Sequence, residues 1–331
     1  MVRTIASACL LAALPAAAAA QDAASRDAAG RGALSLTYEN DAFGFSDRNY
    51  TSGVRAGWVT GERTPFAHEG ALAALVAGDG PVRLRRSYAL GHTIFTPRNT
   101  RASVFLPDQH PYAGYAYGEY GLLIERAGRL DRVAVQLGVV GPSAGGEWIQ
   151  NAVHDIVGEA RVLGWDNQIG DEVIASASYE TQWRALGAGD VALGFDLSPH
   201  VGARVGNFQT YASAGAVVRL GSHLSSAHGP PRVEPGLPGA GLFAPTDGFA
   251  WHVFGGVQGR AVAHDITLDG SFLDDGDPSV DKEAFVGDVQ LGFTVQRGGV
   301  QAAYTHVLRS KTFERQSQAQ DFGSLTVGLR F

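Results

Sequence analysis

The last nine residues read Gly323-Ser324-Leu325-Thr326-Val327-Gly328-Leu329-Arg330-Phe331. Successive side chains of a strand point to opposite faces. Leu325, Val327, Leu329 and Phe331 therefore share one face, and Ser324, Thr326, Gly328 and Arg330 the other. The same period runs through 284–296, where Phe285, Val289, Leu291, Phe293 and Val295 oppose Asp288, Gln290, Thr294 and Gln296. Strands of a soluble sandwich alternate too, but these are long, and the chain stops on its apolar face at an aromatic residue. Long alternating strands with an apolar outer face and a polar lumen are the pattern of a transmembrane barrel. The terminal Phe resembles the sorting signal of outer-membrane barrels.

Working back from that end, alternation predicts strands near 33–41, 50–60, 85–96, 113–126, 131–140, 172–186, 190–204, 210–221, 250–264, 283–296, 300–313 and 322–331. The expected fold is all-β, a closed antiparallel transmembrane barrel of about 12 strands, an even number as such barrels require. Both termini then lie on the periplasmic side. The tight links at Ala127–Leu130, Gly187–Gly189 and Arg297–Gly299 belong there as short turns. Gly61–Leu84 and Ser222–Phe249 are long for that side, and the second is rich in Pro and Gly, so it reads as an irregular loop. The outward side collects the longer polar segments 42–49, 97–112, 141–171 and 265–282. One of them carries the only convincing helix, Glu147 to Glu159. There Trp148, Ile149, Ala152, Val153, Ile156 and Val157 share a helical face. This extracellular helix is expected to face the barrel mouth.

Composition agrees. The chain has 331 residues, a formal net charge of -7 and 44 glycines. The negative charge disfavours nucleic acid as a partner. Residues 1–20 read as a signal peptide: Arg3 supplies the positive start, Ile5 to Leu14 the apolar core, and Ala18-Ala19-Ala20 the cleavage site before Gln21. Cys9, the only cysteine, precedes most of that apolar core, which argues against a lipoprotein anchor. Residues 21–331 then form one barrel domain without disulfides, and a monomer is expected.

Chemistry concentrates at the outward end. Glu39-Asn40-Asp41-Ala42-Phe43-Gly44-Phe45-Ser46-Asp47-Arg48-Asn49-Tyr50-Thr51-Ser52-Gly53 packs carboxylates, amides and hydroxyls between two alternating strands. The hairpin brings Asn40, Asp41 and Thr51 to one end, with Thr51 opening the polar face of the returning strand. An Asx-rich turn is the plain structural reading. On the helix, Gln150 and His154 stack one turn apart, and imidazole titrates near neutral pH as a general base must. A structural histidine on a packed helix is the plain alternative. The run Gly164-Trp165-Asp166-Asn167-Gln168 shares this rim. Gly141-Pro142-Ser143-Ala144-Gly145 matches the nucleophile-elbow pattern, but its strand is a barrel stave rather than the centre of an α/β sheet. Ser143 stays a minor candidate. No H-E-x-x-H zinc spacing and no phosphate loop is present. Hard oxygen donors such as Asp41 would suit calcium best among metals.

These motifs come in a recognisable order. Glu39-Asn40-Asp41, Asp47-Arg48-x-Tyr50-Thr51-x-Gly53, Gly91-His92-Thr93-Ile94-Phe95-Thr96-Pro97 and Pro111-Tyr112-Ala113-Gly114 are followed by Gly138-Val139-Val140-Gly141-Pro142, Gln150-x-x-x-His154 and Trp165-Asp166-Asn167-Gln168. The set, spanning 34–172, resembles the outer-membrane lipid A 3′-O-deacylase family (LpxR-type). The C-terminal half resembles it only in strand layout. The resemblance implies an outer-membrane enzyme that hydrolyses acyl esters of lipid A in lipopolysaccharide, with its site between the barrel wall and the loop helix. It implies that His154 activates water, that Asp41 helps hold a calcium ion, that Asn40 with the ion stabilises the oxyanion, and that Thr51 lines the pocket. Arg48 and Gln150 would contact substrate. Members of the resembled family can carry a glutamate six residues after the helix histidine, as part of a calcium site. Ala160 stands there in this chain, with Glu159 beside it as a substitute metal ligand rotated by about 100°. A loop lysine of the family has no match, and Arg98 or Arg101 is its nearest counterpart. Two other readings use the same fold: a non-catalytic structural or pore-forming barrel, and a phospholipid esterase.

Overall fold

The computed structural model describes residues 32–44, 49–78, 80–126, 128–189, 192–228, 233, 241–274 and 276–331. The expected signal peptide and Arg48 lie outside the described residues. Thirteen antiparallel strands form one sheet. They are β1 (Ala33–Asn40), β2 (Asn49–Val59), β3 (Arg83–Thr96), β4 (Ala113–Arg126), β5 (Arg129–Val140), β6 (Glu172–Trp183), β7 (Leu186–Ala188), β8 (Gly194–Gly206), β9 (Gln209–Gly221), β10 (Thr246–Asp265), β11 (Phe285–Gly298), β12 (Val300–Arg309) and β13 (Gln320–Arg330). Strand β1 pairs with β13 and β6 with β8, so the sheet closes on itself. The three residues of β7 pair only with β8. Setting that strand aside leaves the twelve staves expected from alternation.

The two faces invert the rule for soluble proteins. Outward-facing Leu36, Leu90, Val257 and Leu291 are exposed, whereas charged side chains of the lumen are buried. Arg55 and Arg132 both bond Glu119, Arg219 bonds Asp196, and Arg309 bonds Asp288 across the interior. Nearer the loops the lumen becomes aromatic. Tyr50, Phe95, Tyr115, Phe208 and Phe322 pack there, with the Tyr115 and Phe208 rings stacked 3.9 Å apart.

The expected helix is α2 (Gly146–Val157), between β5 and β6. A second helix, α1 (Ala67–Ala77), fills the connection from β2 to β3, where the sequence predicted none. Its apolar residues are mostly Ala, good helix formers that leave no stripe to read. Ala73 and Ala77 pack on Leu84, Leu122 and Ile124 of the wall. Glu69 of α1 is buried and accepts hydrogen bonds from Arg86 at 2.7 Å and from the Tyr120 hydroxyl at 2.7 Å. Hydrogen bonding to the Arg86 guanidinium, the largest influence, holds the Glu69 carboxyl down to about 2.

Candidate active site

Register places the site. Asn40 pairs with Ser52, Ser52 with Ile94, and Ile94 with Gly114, which sets the four on one line across β1 to β4. The line below it is Tyr38, Val54, His92 and Ala116. Alternation puts both lines on the same side as Leu36 and Leu90, the outward face. Asn40 therefore stands on the outer wall, not over the lumen.

The loop carrying α2 folds down onto that outer wall. Ile94 packs with Tyr112, Val162 and Trp165 under the loop. The helix starts against the wall at Gly114 and Gly146, where a Cβ on Gly114 would lie 3.1 Å from the Gly146 Cα. His92 joins wall to loop through Nε2, 2.9 Å from the Ala144 carbonyl. The helix packs with its polar side inward: Gly146, Gln150 and Asn151 are buried, whereas Trp148 and Ile156 are 75% and 84% exposed. The sequence predicted a helix at the barrel mouth. Instead the helix lies against the outside of the wall, where its apolar face meets the membrane.

His154 follows Gln150 by one turn, on the wall side of α2. Its Nδ1 lies 2.7 Å from the Ala160 carbonyl. A carbonyl only accepts, so Nδ1 carries the proton and Nε2 of the neutral ring keeps its lone pair. The turn that presents Ala160 is built locally. Gly158 ends the helix in the left-handed region at φ 77°, and Glu159 N–H donates to the His154 carbonyl at 2.9 Å. Arg161 lies 2.9 Å from Asp155 and holds that carboxyl below its usual range. Asn151 Oδ1 accepts from Val162 N–H at 2.9 Å.

On β1, the Asn40 amide nitrogen donates to the Thr51 carbonyl at 3.0 Å, and its oxygen accepts from Ala42 N–H at 2.8 Å. One amide N–H stays available for a third partner. Thr51 is not on the polar face that alternation predicted. The pairing of β2 with β3 slips between Tyr50 and Ser52, so Thr51 is the extra residue of a β-bulge. Tyr50 still points into the lumen, bonding Glu39 at 2.9 Å. Thr51 turns outward and meets the Thr96 hydroxyl at 2.7 Å. Asn49 precedes the bulge at φ 69°, with its amide nitrogen buried and without a partner among the described residues. Neither the bulge nor Asn49 is visible in alternation, which counts residues and not register slips.

Other predicted residues are placed differently. Gln150 is buried and accepts from the Trp165 indole at 2.9 Å, so it pins the loop and is not open to substrate. The run after Gly164 is likewise structural, with the Trp165 ring tilted against Tyr112 at 5.0 Å between centroids. Ser143 donates to Asp171 at 2.7 Å. A carboxylate without an imidazole makes a loop tie, not an activated nucleophile. Asp41 is buried in a short turn of 3-10 helix, Asp41–Gly44, whereas Glu159 is exposed beyond α2. Arg98 and Arg101 are exposed in the neighbouring loop 97–112. Calcium takes six to eight oxygens. Among the described residues no group of three or more Asp, Glu, His or Cys side chains gathers where it could hold a metal.

A closed antiparallel barrel with an apolar outer wall and a filled lumen is a transmembrane barrel of the outer-membrane class. The chain belongs to the family described as Outer membrane protein LpxR, which matches residues 5–331. Among solved structures, LpxR from Salmonella typhimurium superposes with a TM-score of 0.74 at 21% identity, covering 90% of this chain and 100% of that one. The β domain of the Bordetella autotransporter BrkA follows at a TM-score of 0.45 and 11% identity, over 92% of this chain and 99% of that one. No curated protein sequence matches. The family sets this protein among outer-membrane lipid A deacylases.

Proposed function

We propose that this chain hydrolyses an acyl ester of lipid A in the outer leaflet, the 3′-linked acyl ester by family resemblance, with His154 as general base. The observation that carries the reading is the bond from His154 Nδ1 to the Ala160 carbonyl, which leaves Nε2 to take a proton from water. The activated water adds to the ester carbonyl, and the remaining Asn40 N–H donates to the oxyanion. Collapse of the tetrahedral intermediate releases the fatty acid, and the protonated His154 returns its proton to the leaving alkoxide. Thr51, turned outward by its bulge, lines the approach. No step is routed through a calcium ion. The packed lumen lends the pore-forming reading no support.

The test is mass spectrometry of lipid A from cells with and without the protein, and with His154→Ala. Loss of one acyl chain only in cells making the unaltered protein is expected. An unchanged acyl pattern at full expression would leave the barrel without this activity. A changed phospholipid pool with intact lipid A would favour the phospholipid esterase.

A further inference from the structure

We propose that a groove in the membrane-facing wall, bracketed by α1 and the α2 loop, binds the long acyl chain of the ester that the candidate site cleaves. The proposal rests on the deacylase reading and adds the subsite that recognises the chain.

The groove holds about 1070 Å³ and is lined by outward side chains that include Leu36, Trp58, Leu90, Tyr120 and Leu137, with Gly118 among them. Its middle line across the wall reads Leu36, Ala56, Leu90, Gly118 and Leu137. The small residues Ala56 and Gly118 leave hollows between the large ones. The line beneath is Leu34, Trp58, Tyr88, Tyr120 and Val135, bulky throughout. Trp58 stacks on Tyr88 with centroids 5.5 Å apart, and Tyr88 meets Tyr120 at 5.5 Å.

Both ends are defined. At the upper end, Tyr38 lines the groove two residues below Asn40 on the same face of β1. At the lower end, Tyr120 bonds Glu69, and α1 covers the wall over Leu84, Leu122 and Ile124. On β1 the lining runs from Leu34 to Tyr38, a span of about 13 Å at the strand rise, along which an extended acyl chain can lie. The wall faces the hydrocarbon of the leaflet, and the groove runs from the candidate site toward the membrane interior. A chain whose ester lies beside Asn40 and His154 would descend along it. Hydrocarbon rather than a protein segment is the occupant, because the lining is almost wholly apolar and lies on the face of the barrel that meets the leaflet.

Gly118→Leu tests this directly. A Cβ on Gly118 would meet only a Leu90 methyl at 3.8 Å, so the side chain grows into the groove and spares the fold. Gly259→Leu, outward on β10 with open space around it, is the control. The readout is the ratio of kcat/KM for hexadecanoyl over butyryl esters in detergent micelles. Gly118→Leu should lower that ratio about tenfold or more, and Gly259→Leu should leave it unchanged. An unchanged ratio for Gly118→Leu would overturn the groove while leaving the deacylase reading intact. If the unaltered protein hydrolyses neither ester nor lipid A, the deacylase reading fails on its own. The groove is then judged by quenching of Trp58 fluorescence with brominated-acyl phospholipid, read as the difference from Trp58→Phe. Weaker quenching in Gly118→Leu supports an acyl site, and equal quenching overturns it.

Discussion

At the scale of the residue, His154 is expected to carry the proton transfer. His154→Ala should lower hydrolysis by about 10²–10⁴-fold, with heat-modifiable migration on gels retained, because no strand pairing runs through α2. Ser143→Ala should keep most of the activity, since that hydroxyl bonds Asp171 and no imidazole. Loss of activity in Ser143→Ala with a folded barrel would replace the water mechanism by an acyl-enzyme one. Asn40→Ala should cost about 10²–10³-fold in kcat, the size of one lost oxyanion donor, with a smaller change in KM. A pure KM effect would make Asn40 a substrate contact. That Asn40 and His154 lie at the outward end was legible from strand order and spacing. The outward turn of Thr51 was not, because one extra residue in a register moves a side chain to the opposite face.

At the scale of the element, the two helices depend on buried polar ties. Trp165→Phe removes the indole donor and leaves the Gln150 carbonyl oxygen buried and unpaired, a cost of about 1–3 kcal/mol. Faster hydrogen exchange confined to 141–171 is the expected readout, and uniform exchange across the barrel would contradict it. For α1 the sign of the pH effect follows from Glu69. Its folded carboxyl titrates at about 2, below the ordinary 4.5. The stabilisation is therefore full above about pH 4.5 and is lost as pH falls toward 2. Limited proteolysis of 67–82 should accelerate across that window and stay flat between pH 5 and 7. Glu69→Gln should flatten the dependence. The sequence carried α2 through Gly and apolar spacing, but its packed side had to be seen in the structure. Apolar residues on one face predict burial only when the surrounding solvent is water, and here it is lipid.

At the scale of the whole molecule, the barrel should fractionate with the outer membrane and form no stable conductance in a planar bilayer. Tyr50, Phe95, Tyr115, Phe208 and Phe322 close the lumen toward the loops, and the Arg–carboxylate pairs fill it below. Large, reproducible single-channel steps would show that this packing opens.

The sequence by itself determined the barrel. Period-two alternation over long strands, from Leu34 to Phe331, needs no tertiary information, because each strand must present one face to hydrocarbon. It also marked Asn40, Asp41, Thr51 and His154 as neighbours at one end, through the order of strands and loops. Only the tertiary structure decided on which side of the wall Asn40, Thr51 and His154 lie. That choice depends on where the 141–171 loop folds, and it rests on contacts between residues far apart in sequence, Ile94 with Val162 and Gly114 with Gly146. The membrane-side groove is of the same kind. It exists because register sets Ala56 and Gly118 beside large residues of other strands, a coincidence that no single strand's pattern contains.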